Sequence, residues 1–539
     1  MHFALVGAYF AVLLILAMYG LHRSHLVITV LRNRRTLSAL ARGVPPIAAD
    51  GIGERDDLPY VTVQLPLYNE ATVAARLLDH VAAIEWPRSR LQVQVLDDST
   101  DETRALVRRK VESLRDQGLN VDHIHRVDRA GYKAGALADG LKIARGELIA
   151  IFDADFLPQP GFLREVVPHF VADPRVGMVQ ARWGHMNRSH SMLTRTQALM
   201  LDGHHLVENR ARAAEGWLFN FSGTGGMWRK EAIASAGGWQ HDTLTEDLDL
   251  SYRAQLAGWR FIYRENIVTP AELPEDISAF RAQQFRWAKG TVQTARKLLP
   301  RLMRAELTPM QRVEVFFHLT PHFAYPLMVF LSILLFPALV LMPATDVRTM
   351  LVVDLPLVIG TTGSLATFYA MAELAQGRRS IDALKQLPAL LAIGAGLAPH
   401  LTAAVWQGLR SMAGEFIRTP KKGVSGASGA YLGRYRAAAD LPAAEVALCL
   451  LSMASTVASI ETRHWFATPF AMLFTFGYGY VAFFVAAEEL ARRKLQIGRA
   501  MAPEVRSSVG PSEASEGREA RSRGIEASEP PTTGDEVAA

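Results

Sequence analysis

The sequence is almost without cysteine, since Cys449 is the single one in 539 residues. One thiol cannot form a disulfide within the chain and cannot build a cysteine-based metal site. A strong excess of charge is missing as well, because the formal net charge is only +5 and no basic helix or aromatic-spaced basic patch occurs. These absences exclude a disulfide scaffold and argue against a nucleic-acid-binding protein.

The N-terminus lacks the features of a cleavable signal peptide. Its apolar run, FALVGAYFAVLLILAMYGL, is long enough to span a bilayer, which takes about 20 residues. Only His2 precedes the run, however, and Arg-rich sequence follows it in place of a small-residue cleavage site. We therefore predict a retained transmembrane anchor over residues 1–22, followed by a cytoplasmic linker over 23–54.

Further long apolar runs predict a membrane domain over residues 301–500. We expect spans at about 319–342, 350–373, 442–460 and 465–488. Pro399 and the Gly-rich AIGAGLAPH weaken 386–409 as a straight span, so we predict an interfacial helix there. The final segment, 501–539, is rich in Glu, Ser, Pro and Gly and predicts a disordered cytoplasmic tail.

Basic residues orient these segments. After the first apolar run come Arg23, Arg32, Arg34, Arg35 and Arg42. The positive-inside rule then places residues 22–300 in the cytoplasm and predicts a multi-pass protein of the cell (plasma or inner) membrane. Few ionisable residues occur near the centres of the apolar runs, which makes a transporter of small solutes a poor interpretation.

Alternating strand and helix patterns predict the fold of residues 55–300. The strand-like runs are PYVTVQLPL, LQVQVLDD, VDHIHRV, ELIAIFDAD and VGMVQARW, and the helix-like segments between them are EATVAARLLDHVAAI, DETRALVRRKVESLRD and KAGALADGLKIA. This alternation is typical of an α/β fold with a parallel, doubly wound sheet. Ligands of such sheets bind beyond the carboxyl ends of the strands.

Pairs of aspartates follow two of these strands. Asp97 and Asp98 end one run, and Asp153 and Asp155 follow another. Carboxylates at i and i+2 on an extended segment point the same way, so they can share one hard divalent cation with diphosphate oxygens. The alternative is that the aspartates make turns or cap the next helix.

Three further segments carry weaker signals of a site. Lys133 stands at a predicted helix start behind Gly131, where a cation and backbone N–H groups can meet phosphate, although a surface lysine is the alternative. In DTLTEDLDLSYRAQLAGW, a carboxylate such as Asp247 could act as a general base, or the acids could simply favour the helix N-terminus. The Gly-rich NFSGTGGMWRK lets backbone approach a ligand closely.

The segment AFRAQQFRWAKGTVQ places Gln283, Arg286 and Trp287 just before the apolar runs. A tryptophan face packs against the C–H face of a pyranose, and an arginine can contact a departing diphosphate. The alternative is that Arg286 and Trp287 anchor a helix at lipid headgroups.

Taken in order, these motifs resemble those of processive family 2 glycosyltransferases, which include cellulose, hyaluronan and chitin synthases. VQLPLYNE, GYKAGAL and DTLTEDLDLSYRAQLAGW look closest to the plant cellulose-synthase-like mannan and glucomannan synthases. FIRTPKKG, residues 416–423, resembles the cytoplasmic gating loop of cellulose synthases, with Arg418 where that pattern has Val. The resemblance implies a GT-A fold, with a mixed but mostly parallel sheet, inserted between transmembrane helices.

The resemblance also implies roles for individual residues. Asp97 or Asp98 would bind the nucleotide, and Asp153 and Asp155 would hold Mg²⁺ or Mn²⁺ and the donor diphosphate, near Lys133. Asp247 would take the proton of the acceptor hydroxyl. Gln283, Arg286 and Trp287 would line the point where acceptor and donor meet.

The function implied is an inverting, metal-dependent transferase that extends a β-linked polysaccharide and exports it. GDP-mannose is the first candidate donor and UDP-glucose the second. Two alternatives stay open: a single transfer to a lipid acceptor in the membrane, which makes a glycolipid, and a non-catalytic membrane scaffold. The expected partners are therefore the nucleotide sugar, the growing polysaccharide or lipid acceptor, and membrane lipids, with no nucleic acid.

Overall fold

The computed structural model describes residues 2–341, 348, 355–412, 414–415, 419 and 442–501. Met1–Arg493 form one compact unit and Lys494–Ala539 a second, of which only the backbone to residue 501 is described. Of the predicted gating-like loop at 416–423, only Thr419 belongs to the described residues. The predicted tail lies outside them from residue 502 onward.

A seven-stranded sheet organises the first part of the chain. Its strands are β1 Val61–Leu67, β2 Leu91–Asp97, β3 Val121–His125, β4 Leu148–Ile151, β5 Val176–His185, β6 Gly226–Arg229 and β7 Arg260–Ala271, in the order β3-β2-β1-β4-β6-β5-β7. All neighbouring pairs are parallel except those of β6, which runs antiparallel to β4 and β5. The predicted GT-A-like, mixed but mostly parallel sheet is confirmed.

The strands follow from their sequences. Every residue of β1, β2 and β4 is buried, because helices cover both faces of the sheet. Strand β4 is accordingly a continuous apolar run, whereas β1 and β2 alternate apolar residues with buried polar ones that hydrogen-bond from strand to strand, Thr62 with Gln92 and Gln64 with Gln94. The strand β6 was interpreted from sequence as a Gly-rich turn, since four residues beginning with glycine carry no alternating pattern.

Helices surround the sheet and continue into the membrane region. Before and within the sheet they are α1 His2–Arg32, α2 Arg34–Arg42, α3 Ala74–Ala82, α4 Thr103–Asp116, α5 Tyr132–Ile143, α6 Phe162–Ala172, α7 Met192–Gly203, α8 Asn209–Glu215, α9 Lys230–Ser235 and α10 Glu246–Leu256. A π-helical turn, His204–Glu208, joins α7 to α8. Beyond the sheet follow α11 Ile277–Arg304, α12 Pro309–Leu319, α13 Ala324–Leu341, α14 Leu355–Val358, α15 Ser364–Ala375, α16 Ser380–Arg410, α17 Ala443–Glu461 and α18 Thr468–Met501.

Six helical segments are long and apolar enough to cross a membrane. They are Ala4–Arg32, Pro321–Leu341, Leu355–Ala375, Ser380–Arg410, Ala443–Glu461 and Thr468–Lys494. The fourth includes the predicted interfacial segment 386–409, and half of its most apolar window is buried against the rest of the protein. Its interfacial position stays a prediction, while the multi-pass character is supported by length and composition.

Helix α11 connects the sheet domain to the membrane helices. It packs on α16 and α18 through a cluster that includes Phe280, Leu401 and Val485. The carboxylate of Glu488, from α18, accepts hydrogen bonds from the backbone N–H groups of Ile277 (2.8 Å) and Ser278 (2.9 Å) at the start of α11. A negative charge at a helix N-terminus satisfies free N–H groups and favours the helix dipole. The position of α11 is therefore fixed from the membrane side.

A buried ion pair lies one turn further along α11. Arg281 donates to Glu445 of α17 at 2.9 Å and lies 3.1 Å from Nδ1 of His400 in α16. Both charged side chains of the pair are more than nine-tenths buried. The three contacts tie one turn of α11 to α16, α17 and α18.

Candidate active site

A cavity of about 180 Å³ opens where β1, β2 and β4 end. We call it the first cavity. Of the site residues predicted from sequence, those that line it are Asp98, Lys133, Asp153, Asp155, Asp247, Gln283, Arg286 and Trp287. Segments far apart in the chain thus converge on one pocket, because parallel strands bring their carboxyl ends to the same edge of the sheet. Thr419, from the gating-like loop, also lines it.

Asp97 does not line this cavity, and the structure separates it from its neighbour. The Asp97 carboxylate is fully buried, contacts Nε2 of His123 at 2.8 Å and accepts from the N–H of Ser99. These hydrogen bonds outweigh burial and lower its pKa. Asp98 does line the cavity, and Arg126 donates to both of its oxygens at 2.8 and 2.7 Å. Asp98 is therefore the one of the two that can meet a ligand.

Lys133 is not a surface lysine. It lies in the first turn of α5, and its ammonium contacts the Asp153 carboxylate at 2.5 Å and donates to the backbone carbonyl of Gly223 at 3.0 Å. Burial alone would lower the pKa of Lys133, but the carboxylates of Asp153 and Glu246 outweigh it and raise the value. Lys133 therefore stays a cation inside the cavity.

More acidic than basic side chains line the first cavity. Asp153, Asp155, Glu246 and Asp247 line it together with only Lys133, Arg129 and Arg286 as strong bases, among its described lining residues. Burial raises the pKa of Asp153 and of Glu246. A bound cation would favour the charged forms of these buried carboxylates.

Asp247 and Asp249 lie in the first turn of α10 with different surroundings. Positions two apart on a helix point in nearly opposite directions. Asp249 is fully buried in ion pairs with Arg253 (2.6 Å) and Lys297 (2.9 Å), whereas Asp247 is half-buried and faces the cavity. Burial and the adjacent Glu246 raise the pKa of Asp247 to about 7. Such a carboxylate can accept a proton near neutral pH.

The Gly-rich loop before β6 holds this arrangement together. Gly223 has a φ of +85°, and a β-carbon there would lie 2.9 Å from Oδ2 of Asp247. The Thr224 hydroxyl accepts from the N–H of Asp153 at 2.8 Å. Only glycine allows both the left-handed backbone and the close approach to Asp247. The loop thus positions Lys133, Asp153 and Asp247 at the same time.

Gln283, Arg286 and Trp287 share one face of α11, because positions three and four apart are neighbours on a helix. All three line the first cavity. Burial lowers the pKa of Arg286, and the carboxylates Glu246 and Asp153 partly oppose this. The Arg286 guanidinium therefore supplies positive charge opposite the acids.

A second cavity, of about 270 Å³, adjoins the first and extends toward the start of the membrane helices at Pro321 and His322. Residues that line both cavities are Trp183, Leu201, Ser222, Thr245, Asp247, Gln283 and Trp287. The remaining polar side chains of the second cavity are Gln197, His204, His205, Glu208, Asn220, Gln284, Thr291, His318 and His322. Its described lining contains no lysine or arginine.

The sequence does not predict this second cavity. Its walls come from α7, the π-helical turn, α10, α11 and α12. No local motif joins these segments. The one signal in the sequence is the concentration of histidines at 204, 205, 318 and 322, which only the fold brings together.

Residues 59–290 match the family model described as glycosyltransferase like family 2. The matched segment covers all seven strands and reaches the Gln283–Trp287 motif. This part of the chain is therefore similar to family 2 glycosyltransferase domains.

The similar proteins define the relationship further. The chain is 44% identical over 258 residues to a probable glucomannan 4-beta-mannosyltransferase 7 of Oryza sativa subsp. japonica, which covers 47% of this chain and 44% of that protein. It is 38% identical over 317 residues to glucomannan 4-beta-mannosyltransferase 1 of the same species, covering 57% and 61%. The likeness to the cellulose-synthase-like mannan synthases is confirmed over that span, although the chain matches only about half the length of these relatives.

A solved structure with similar architecture is a mannosyltransferase from Pyrobaculum calidifontis in complex with GDP-Man and Mn²⁺. It is 24% identical, and the match covers 67% of this chain and 98% of that one with a TM-score of 0.46. At that similarity it places no ligand in the present site.

Proposed function

We propose that the protein is a membrane-embedded, inverting glycosyltransferase that extends a β-linked polysaccharide from a nucleotide sugar. GDP-mannose is the proposed donor, because the relatives are named glucomannan 4-beta-mannosyltransferases. UDP-glucose is the second candidate.

One observation carries this proposal: Asp247 lies between the two adjoining cavities. The first cavity offers charged groups suited to a nucleoside diphosphate, namely Lys133, Arg286 and the acidic pair Asp153 and Asp155. The second offers the carboxylates of Glu208 and Asp247, several neutral polar groups and aromatic faces, a combination suited to a carbohydrate. A base at their junction can act on an acceptor hydroxyl that faces the anomeric carbon of the donor.

Asp153 and Asp155 suit a divalent cation. Both are carboxylates at the end of β4, and burial raises the pKa of Asp153. Among the described residues no cluster of three or more ligands occurs, so diphosphate oxygens would complete the coordination of Mg²⁺ or Mn²⁺. When bound, the ion would stabilise the charge that develops on the leaving diphosphate.

The chain's own residues would carry the rest of the reaction. Asp247 removes the proton of the acceptor hydroxyl. In the same step the oxygen of that hydroxyl bonds to the anomeric carbon of the donor sugar, and the bond from that carbon to the diphosphate breaks. Lys133 and Arg286 hold the departing diphosphate by charge-assisted hydrogen bonds. Attack from the face opposite the leaving group in one step inverts the anomeric centre.

The composition of the second cavity favours a sugar acceptor over a lipid phosphate. A phosphate would require arginine or lysine, and none occurs among the described residues that line the cavity. Burial lowers the pKa of His205 and of His318 well below the usual value, so both are neutral hydrogen-bonding groups. Trp183 and Trp287 add aromatic faces for a pyranose.

The proposed orientation places the sheet domain on the cytoplasmic side of the cell (plasma or inner) membrane. The arginines that follow the first span support it by the positive-inside rule. The second cavity points the growing chain toward the start of α13. That direction supports the proposed export through the membrane helices.

The deciding test supplies labelled GDP-mannose, UDP-glucose and UDP-N-acetylglucosamine, with Mg²⁺ or Mn²⁺, to the full chain in lipid vesicles. We expect label from GDP-mannose in a high-molecular-mass product that a β-mannanase degrades. Label only in a lipid extract would contradict the polysaccharide product and favour a glycolipid transferase. No turnover of any donor would favour the scaffold.

The pH dependence of the reaction should report Asp247. A base works in its deprotonated form, so activity is lost as pH falls through its pKa of about 7. We expect kcat/KM to fall about ten-fold per pH unit on the acid side of neutrality. A profile that stays flat down to pH 5 would contradict this assignment.

Removal of the ion should stop the reaction. We expect a chelator to abolish transfer and Mn²⁺ or Mg²⁺ to restore it. Asp155→Asn should raise the metal concentration for half-maximal activity by at least about ten-fold, since it removes one of two anionic ligands. The matched control, Asp79→Asn, changes an exposed partner of Lys110 outside the cavity and should leave the metal titration unaltered. Full activity of the wild-type chain in chelator would refute the metal site.

A further inference from the structure

The second cavity contains a histidine whose proton position is set by its neighbour. The Tyr252 hydroxyl and Nδ1 of His318 are 2.7 Å apart. Tyr252 lies in α10, five residues after Asp247, and His318 lies in the last turn of α12. An apolar cluster that includes Leu248, Val315 and Leu319 packs these two helices together around the Tyr252 ring.

The direction of this hydrogen bond follows from the surroundings. Burial raises the pKa of the Tyr252 hydroxyl, so it keeps its proton. Tyr252 is fully buried, and His318 is its only hydrogen-bond partner among the described residues. If His318 donated instead, the tyrosine proton would be buried without an acceptor, which costs about 1–3 kcal/mol. Tyr252 therefore donates, and Nδ1 of His318 accepts.

The other ring nitrogen then carries the proton. Burial also lowers the pKa of His318 well below its usual range, so the ring is neutral and has one N–H. With Nδ1 accepting, that N–H is at Nε2. His318 lines the second cavity and, in the part of the chain that the structure describes, its only hydrogen bond is at Nδ1. The Nε2 donor is thus available to whatever occupies the cavity.

We propose that Nε2–H of His318 donates to a hydroxyl of the acceptor sugar and so determines acceptor specificity, with Tyr252 as a positioning residue that fixes the tautomer. This rests on the proposed function, because the second cavity must hold the acceptor. Asp247 lines the same cavity. The N–H group of His318 would therefore contact the same acceptor sugar whose hydroxyl Asp247 deprotonates. A site built to hydrogen-bond a hydroxyl discriminates against analogues that lack it, because its own polar group is then left unpaired.

The test measures transfer from GDP-mannose to β-1,4-linked manno-oligosaccharides that lack one hydroxyl at a time from the terminal sugar. The full chain in lipid vesicles is compared with His318→Phe, His318→Gln and Tyr252→Phe. With the wild-type chain we expect one deoxy position to raise the acceptor KM about ten-fold, the scale of one neutral hydrogen bond. In His318→Phe that penalty should disappear, because every acceptor is bound equally weakly.

The two further variants separate specificity from packing. Tyr252→Phe keeps the ring in its apolar cluster but removes the hydroxyl that fixes the proton of His318 at Nε2. The increase in acceptor KM caused by the missing hydroxyl should therefore shrink, while the KM for GDP-mannose stays at the wild-type value. His318→Gln retains a donor and should keep part of the penalty. Tyr60→Phe is the matched control, since the Tyr60 hydroxyl contacts Asn120 at 3.2 Å, away from both cavities.

The outcomes distinguish this inference from the function on which it rests. If the wild-type chain used GDP-mannose but its acceptor KM values for the deoxy oligosaccharides changed as in His318→Phe, only the role of His318 would be overturned, and the proposed function would stand. Equal increases in the KM for acceptor and donor in Tyr252→Phe would overturn the positioning role. A wild-type chain that turns over no nucleotide sugar would overturn the proposed function, and this inference with it.

Discussion

Asp247→Asn is expected to lower kcat by about 10²–10⁴-fold, the usual contribution of a general base. The amide has nearly the shape of the carboxylate but cannot take the acceptor proton. Lys133, Arg286 and the Asp153 carboxylate, which line the cavity proposed to bind the donor, are unchanged by the substitution. The KM for the nucleotide sugar should therefore stay close to the wild-type value, and the loss should appear in kcat.

The control for this prediction lies in the same segment. Asp242 is half-exposed and pairs with Lys297 at 2.7 Å, outside both cavities. Asp242→Asn is the same chemical change five residues earlier and should leave kcat essentially intact. Initial rates with labelled donor would compare the two variants. If Asp247→Asn polymerised at the wild-type rate, another group would have to be the base.

Glu445→Ala is expected to lower the free energy of unfolding by about 3–5 kcal/mol, the scale for breaking a buried ion pair. The substitution leaves the Arg281 charge more than nine-tenths buried with its carboxylate partner removed. Denaturant or thermal unfolding of the detergent-solubilised chain would measure the change. The loss should be larger than for any exposed pair, because water cannot replace the missing partner.

Two comparisons test the cause of that loss. Arg55 and Asp57 form an exposed pair at 2.5 Å, and Arg55→Ala should leave the stability essentially unchanged. The double variant Arg281→Met with Glu445→Leu should recover most of the stability, since it removes both charges and fills similar space. If Glu445→Ala unfolded like Arg55→Ala, the pair would contribute nothing beyond a surface contact.

Much of the sheet could be predicted from sequence because its first strands are Val-, Leu- and Ile-rich segments that alternate with helix-like segments. The segments that became β1 to β5 are recognisable by composition alone, and helices cover their faces. The short β6 could not be recognised, since its assignment depends on pairing with β4 and β5, which are distant in sequence. Long-range pairing is a property of the fold and leaves no local pattern.

The candidate site, like the sheet, could be predicted from the sequence only in part. That Asp98, Asp153 and Asp155 line one cavity follows from general rules for strand ends. The choice between Asp97 and Asp98 does not, because it depends on His123 of the neighbouring β3, which holds Asp97 on the buried side. Neither does the pairing of Tyr252 with His318, which requires α10 and α12 to pack together.

The Glu488 carboxylate at the start of α11 makes the sheet domain depend on the membrane helices. A chain cut near residue 300, where motif and composition suggest a domain end, would keep Gln283, Arg286 and Trp287 but lose Glu488 and Glu445. Two N–H groups would lose their acceptor, and Arg281 would lose its counter-charge. We therefore expect the sheet domain and the membrane helices to form one energetic unit that cannot be divided at the motif boundary, so that the sheet domain alone would leave the motif helix without its support.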